Sequence, residues 1–263
     1  MNIGVVSLGL IGGSILKALY NKGHKLFAVT GSSQTLKDAE KYTNLISVDM
    51  SILSDCDMVF VASPISKTEE VLDKLEHYVN KECIVLDCAS VKEFLMKKRP
   101  YKFIGSHPMA GTEHSGFSSS FKELFVDAIW VLTPFKETSQ YDIEKAKDII
   151  SLMGAKPLIA NAKEHDNAVA LISHLPLLIS QSLVYCIKDN QLAQTLAASG
   201  FKDSTRLAMS NTQMAVDMME YNSKNIDSAK QSLIDSLDFL KEGKNIQVLE
   251  QIKAIRKKMY PVR

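Results

Sequence analysis

The sequence predicts an α/β protein in which a doubly wound, mostly parallel sheet is followed by a second, all-helical domain. Three observations carry this. Over the first 160 residues, short β-branched runs alternate with amphipathic stretches, as strands joined by helical crossovers do. A glycine-containing turn stands at the first strand-to-helix junction, residues 7–12. After Asn161 no β-branched run follows, and the chain reads as helix after helix.

Taken in order, candidate strands cover residues 3–7, 26–30, 58–62, 83–87, 103–105, 129–133 and 156–159. Helical patterns between them include residues 14–20 and 68–78, where Val71, Leu72, Leu75 and Val79 make one apolar face. Residues 91–98 read as a further helix with Ser90 as its N-cap. Beyond the Ala160–Asn161 hinge, where Asn161 can cap the incoming helix, two apolar stripes appear. Ile226, Ala229, Leu233, Leu237 and Leu240 form one, and Ile246, Leu249, Ile252, Ile255 and Met259 form the other. The expected division is a dinucleotide-binding domain over residues 1–160 and a helical substrate and dimerisation domain over 161–263. Two such stripes exceed what one small helical domain can bury, so a homodimer is expected.

Composition narrows the function classes. The 263 residues are 46% hydrophobic and 23% charged, an ordinary globular balance. A net charge of +1 offers no electrostatic case for nucleic acid or an anionic membrane surface. No uninterrupted apolar run approaches the ~20 residues that cross a bilayer. The chain enters its first strand without the basic-then-apolar layout of a signal peptide, which predicts a cytoplasmic protein. Cys56, Cys83, Cys88 and Cys186 lack CxxC spacing, so neither a metal site nor a redox pair is expected.

The turn Ser7-Leu8-Gly9-Leu10-Ile11-Gly12 occupies the place of a Gly-x-Gly-x-x-Gly dinucleotide fingerprint, the mark of a Rossmann-like domain. Gly9 allows backbone to approach a pyrophosphate and Gly12 allows close helix–strand packing, while Ser7 replaces the first glycine. An NAD site usually carries an acidic residue about ~20 residues further on, to bond the ribose 2′-hydroxyl. Here that stretch is Val29-Thr30-Gly31-Ser32-Ser33-Gln34, with no carboxylate. Thr30, Ser32 and Ser33 offer hydroxyls and Lys37 a positive charge, so NADP is favoured, with NAD possible. A plain polar loop is the alternative. Ser63 and Pro64, after the third of these strands, belong to the same rim and could face a nicotinamide.

His107, in Ser106-His107-Pro108-Met109-Ala110-Gly111-Thr112, lies at a strand's carboxyl end, where such sheets bind ligands. With an ordinary pKa near ~6.5 a histidine can accept a proton at neutral pH. Ser90 sits on the same rim and could orient the imidazole. In the helical half, Asn167 and His174 are seven apart and share a regular helix face, and Pro176 should bend the helix beside them. His165 and His174 are nine apart, which places them on opposite faces. Ser204 is a possible cap for the next helix, in whose first turn Arg206 opposes the dipole unless an anion sits there. Pairing with Asp203 is the other explanation for Arg206.

Together these segments resemble the prephenate/arogenate dehydrogenase family over nearly the whole chain. The motifs are residues 8–14, Ala89-Ser90-Val91-Lys92, residues 106–113, Ile172-Ser173-His174-Leu175-Pro176 and residues 199–206. The short length is similar to cyanobacterial-type members, many of which prefer arogenate and NADP. The resemblance implies oxidative decarboxylation in tyrosine biosynthesis: hydride leaves C4 of a cyclohexadiene for the nicotinamide, CO₂ leaves C1, and the ring becomes aromatic. It implies His107 as the base for the 4-hydroxyl and Ser90 as its partner. His174, Arg206, Thr112 and Glu113 would hold substrate. A dehydrogenase of the β-hydroxyacid type and a non-enzymatic NADP-sensing dimer are the competing expectations.

Overall fold

The computed structural model describes residues 1–112, 114–243 and 245–260. The strands are β1 (Asn2–Val6), β2 (Lys25–Val29), β3 (Leu45–Ser47), β4 (Met58–Val61), β5 (Ile84–Asp87), β6 (Lys102–Pro108), β7 (Ile129–Thr133) and β8 (Lys156–Ile159). They form one sheet in the order β3-β2-β1-β4-β5-β6-β7-β8. Every neighbouring pair is parallel except β6 with β7. Strands β4 and β5 are buried at every position, as expected of apolar runs covered on both faces. The helices α1 (Leu10–Leu19), α2 (Ser33–Ala39), α3 (Ile65–Leu75) and α4 (Gln140–Leu152) supply that cover. Chain order reverses between β1 and β4, which opens a crevice at their carboxyl ends.

Three differences from the expected elements have local causes. Strand β3 is three residues long and only half-buried, too short for periodicity to reveal. Residues 91–98 do not form a helix; only Glu93–Leu95 make a 3-10 turn. The backbone N–H groups of Lys92 and Glu93 are held at 2.8 Å by the Asp166 carboxylate, so Ser90 caps nothing. Strand β6 runs on to Pro108, and His107 lies within it, opposite Val131 of β7.

The helical half contains α5 (Ala162–Val169), α6 (Leu175–Cys186), α7 (Gln191–Leu196), α8 (Ser199–Ser204), α9 (Thr212–Tyr221), α10 (Ser223–Gly243) and α11 (Ile246–Met259). Asn161 caps α5 by accepting from the Lys163 N–H at 2.9 Å. The bend expected at Pro176 takes the form of a π-helical turn over Ala170–His174, between α5 and α6. Pro176 has no N–H for the Ile172 carbonyl and crowds it, and the wider turn relieves that conflict. Within the run Ala162–Cys186, a stretch with mean hydropathy 1.6 is long and apolar enough to cross a membrane. Its buried His165, Asp166 and His174 make polar contacts with other parts of the fold.

The C-terminal stripes are largely uncovered within the protomer. Helix α10 buries only Ile226 and Ala229, and α11 buries nothing. Leu237 is 56% exposed and Ile246 is 75% exposed. Apolar surface of this extent marks a contact face.

Candidate active site

The nucleotide turn is built by close contact. Ser7 adopts φ +70°, the left-handed region that a glycine would occupy without strain, and its N–H donates to the Val29 carbonyl at 2.9 Å. A Cβ on Gly12 would lie 2.0 Å from the Ser7 carbonyl oxygen, so only glycine fits there. A Cβ on Gly9 would meet nothing within 4 Å, so this backbone is open to approach. No side chain caps the N-terminus of α1. Free N–H groups and the helix dipole there suit a pyrophosphate, and the residues present fit a dinucleotide.

Around that turn the predicted residues divide. Leu10 and Ile11 form the first turn of α1 and stay partly open. Thr30 is buried, and its hydroxyl accepts from the Ser32 N–H at 3.4 Å. The Ser32 hydroxyl caps α2 through the Thr35 N–H at 3.2 Å, the structural use of such a residue. Ser33 and Lys37 are exposed. The Ser63 hydroxyl is paired with that of Thr68 at 3.2 Å, and Pro64 is the N-cap residue of α3.

Beneath the rim, β5 and β6 enclose a charged pair. Asp87 and Lys92 are fully buried and form an ion pair. The Lys92 ammonium also donates to the Ser106 carbonyl at 2.7 Å. The Asp87 carboxylate accepts from the N–H groups of Ser106 and Ala89, each at 2.9 Å. Every member is thus hydrogen-bonded, which a buried pair requires.

His107 stands above this pair. Its Nδ1 lies 2.9 Å from His165 Nε2, and His165 Nδ1 lies 2.8 Å from the Asp166 carboxylate. His165, not Ser90, is therefore the hydrogen-bond partner of His107. Among the described residues, the Ser90 hydroxyl is buried without a partner, and the same is true of His174 Nε2. The other ring nitrogen of His174 lies 3.0 Å from Asn222 Nδ2. Buried polar atoms without partners are uncommon and are the natural contacts for a ligand.

The π turn changes the helix faces from those a regular helix would give. An inserted residue shifts helical phase by about 100°, and both His165 and His174 point inward, at 4% and 2% exposure. Asn167 instead faces solvent, so it does not share a face with His174. No signal in local periodicity reveals an inserted residue. The proline at 176 was the available clue.

Burial holds the His107 imidazole well below its ordinary pKa, and the neighbouring His165, Lys92 and His174 add to this. His174 is lowered to about 4, chiefly by burial and also by His165, against the opposing pull of Asp166. Both rings are neutral at physiological pH, so His107 is available as a base.

The remaining predicted positions lie further out. Thr112 is exposed and its hydroxyl accepts from the His114 N–H at 3.2 Å. Glu113 lies outside the described residues. Ser204 ends α8 and donates to the Gly200 carbonyl at 2.9 Å, so it is not a cap. Arg206 opens a short 3-10 turn, Arg206–Met209, and is exposed. Among the described residues it forms no ion pair with Asp203 or another carboxylate.

A crevice at the sheet's switch point, an uncapped glycine turn and a neutral histidine on the same rim define a dinucleotide-dependent dehydrogenase. Family models agree. Residues 17–159 match the nucleotide-binding domain of prephenate dehydrogenase and residues 161–256 its dimerization domain. The prephenate dehydrogenase of Bacillus subtilis is 30% identical over 84% of this chain, which covers 64% of that enzyme's length. Among solved structures, Synechocystis arogenate dehydrogenase has a TM-score of 0.87 at 32% identity, covering 98% of this chain and 100% of its own. Prephenate dehydrogenase from Aquifex aeolicus, in complex with hydroxyphenyl propionate and NAD+, has a TM-score of 0.86 at 27% identity, covering 98% and 97%. The chain belongs to the prephenate dehydrogenase family of oxidoreductases.

Proposed function

We propose that this protein oxidatively decarboxylates arogenate or prephenate in tyrosine biosynthesis, with arogenate and NADP favoured. The observation that carries the reading is the neutral His107 on the strand rim, in a site where the Ser90 hydroxyl and His174 Nε2 are buried without protein partners. A substrate with one hydroxyl to lose and carboxylate oxygens to place suits that set. The Aquifex relative bound to hydroxyphenyl propionate, a phenol with a carboxylate, supports a pocket of this chemistry.

In this reading the division at residue 160 separates cofactor from substrate functions. Backbone at Ser7, Gly9, Leu10, Ile11 and Gly12 holds the pyrophosphate. Thr30, Ser32 and Ser33 meet the adenosine ribose, and Ser63 and Pro64 border the nicotinamide. The nicotinamide, when bound, supplies the acceptor for the C4 hydride. His107 takes the 4-hydroxyl proton as the carbonyl develops, with the Ser90 hydroxyl beside it. Departure of CO₂ from C1 then leaves an aromatic ring whose oxygen recovers a proton. Aromatisation drives the reaction, so positioning and one base suffice. His174 and Arg206 hold substrate carboxylate or carbonyl oxygens, with Thr112 and Glu113 as further substrate contacts.

Steady-state turnover with prephenate and arogenate, each with NAD and NADP, tests the assignment. Turnover of neither substrate would reject it. NADP is expected to give the higher kcat/KM, because no carboxylate lies between Val29 and Lys37 to repel a 2′-phosphate. Ser32→Asp is expected to shift preference toward NAD, and equal or better use of NAD by the unmodified protein would overturn the reading of this loop.

The protein is further proposed to be a cytoplasmic homodimer joined through α10 and α11, whose apolar faces are uncovered. Sedimentation at micromolar concentration is expected to show a dimer, and a monomer would refute it.

A further inference from the structure

The hydrogen bonds around His107 and His174 bear on where each ring carries its proton. A carboxylate only accepts, so His165 must donate from Nδ1 to Asp166, at 2.8 Å. With a single proton on His165, its Nε2 carries a lone pair and at 2.9 Å accepts from His107 Nδ1. His107 is left with its proton on Nδ1 and its lone pair on Nε2. On the other side, the Asp166 backbone carbonyl also only accepts, and Asn222 Nδ2 donates to it at 2.8 Å. The Asn222 carbonyl oxygen accepts from Asn225 at 2.8 Å, in keeping with that orientation. The second Asn222 Nδ2 hydrogen therefore points at His174 Nδ1, at 3.0 Å, which must accept. His174 is left with its proton on Nε2, the buried atom that lacks a protein partner.

We propose that Asp166 sets the proton polarity of the site. Its carboxylate, through His165, makes His107 an acceptor at Nε2, and its backbone carbonyl, through Asn222, makes His174 a donor at Nε2. One histidine thus receives the proton of the substrate hydroxyl while the other supplies a hydrogen bond to a substrate oxygen. Neutral imidazoles left to themselves would mix both tautomers, and part of each population would be wrong for its task. The Asp166 carboxylate also accepts from the N–H groups of Lys92 and Glu93. These two bonds anchor the helical half to the sheet and fix the residue that fixes the tautomers. Asp166, His165 and Asn222 are positioning residues; none needs to touch substrate.

The role of this polarity in turnover rests on the decarboxylating dehydrogenase reading, but the tautomers are properties of the free protein. Long-range ¹H–¹⁵N correlation of the histidine rings, without substrate at neutral pH, reads them directly. Assignments come from His107→Asn and His174→Gln. His107 is expected to be protonated on Nδ1 and His174 on Nε2. The opposite tautomer at His107 would overturn the proposal even if the enzyme turns over substrate normally. Conversely, the expected tautomers in a protein that turns over neither substrate would reject the function and leave the polarity standing.

Variants add a kinetic arm. His165→Leu removes the acceptor and is expected to lower kcat by roughly 10²-fold, below the ~10⁴-fold seen when a wrong tautomer is enforced on a catalytic histidine. His165→Gln places an amide oxygen in reach of the same N–H and is expected to recover most of that loss with KM little changed. Equal kcat in the Gln and Leu variants would overturn the proposal. Should the Leu variant fail to fold, the ring tautomers of the unmodified protein still decide. Asn222→Leu is expected to leave His174 as a mixture of tautomers while His107 is unchanged, and a retained Nε2 proton at His174 would remove Asn222 from the scheme.

Discussion

His107→Asn is expected to lower kcat by roughly 10²–10⁴-fold, the usual contribution of a positioned base. Asparagine is the informative replacement. Its amide nitrogen can keep the donation to His165 Nε2, so the packing is preserved, but it offers nothing in place of the ring's far nitrogen. Dinucleotide affinity, measured by nicotinamide fluorescence or calorimetry, is expected to change little, since the glycine turn lies on a different strand junction. In the unmodified protein, the depressed pKa of His107 keeps the base unprotonated as pH falls to 6.5 and somewhat below. The acid limb of kcat/KM is therefore expected below that value rather than at it, and the Asn variant is expected to lack that limb. Near-normal turnover by His107→Asn at neutral pH would remove this residue from the chemistry.

Lys92→Met is expected to cost about 3–5 kcal/mol of stability, the range for removing one partner of a buried ion pair. The methionine fills the space of the alkyl chain, so the loss reports charge and hydrogen bonding rather than a cavity. It leaves the Asp87 carboxylate buried without its cation and the Ser106 carbonyl without a donor. Replacing both members by apolar residues is not expected to restore stability. The N–H groups of Ser106 and Ala89 would then lose the carboxylate that satisfies them. Urea midpoints at unchanged m-value provide the measurement, and a loss under about 1 kcal/mol would show that the pair is not the keystone of the rim. The same substitution removes a positive charge that depresses His107, so any folded variant should show its acid limb moved to higher pH.

The sheet was legible because most of its strands are short, largely apolar runs separated by helical patterns, as parallel crossovers require. Strand β3 escaped notice since three half-buried residues carry no period. The glycine turn and His107 were legible because each sits where the chain passes from strand to loop. Much of the site's inner framework was not. Lys92 stands among the motif residues, yet nothing in the sequence marks a lysine that is fully buried against Asp87. Asn222 joins His174 across 48 residues of sequence, and Asp166 reaches Lys92 across 74. Such pairings exist only once the chain has folded. Ser90 was read as the partner of His107 because both stand on one rim, whereas the partner came from the helical half.

The π turn at Ala170–His174 has a consequence for which changes in length the chain can tolerate. Between His165 and His174 the number of residues matters as much as their kind. Deleting one residue there would let the ladder close as a regular α-helix and would swing everything on one side through about 100° relative to the other. His174 would leave the interior while His165 stayed, although every side chain named in the site would still be present. A substitution scan across this stretch would miss that dependence; insertions and deletions of a single residue would expose it.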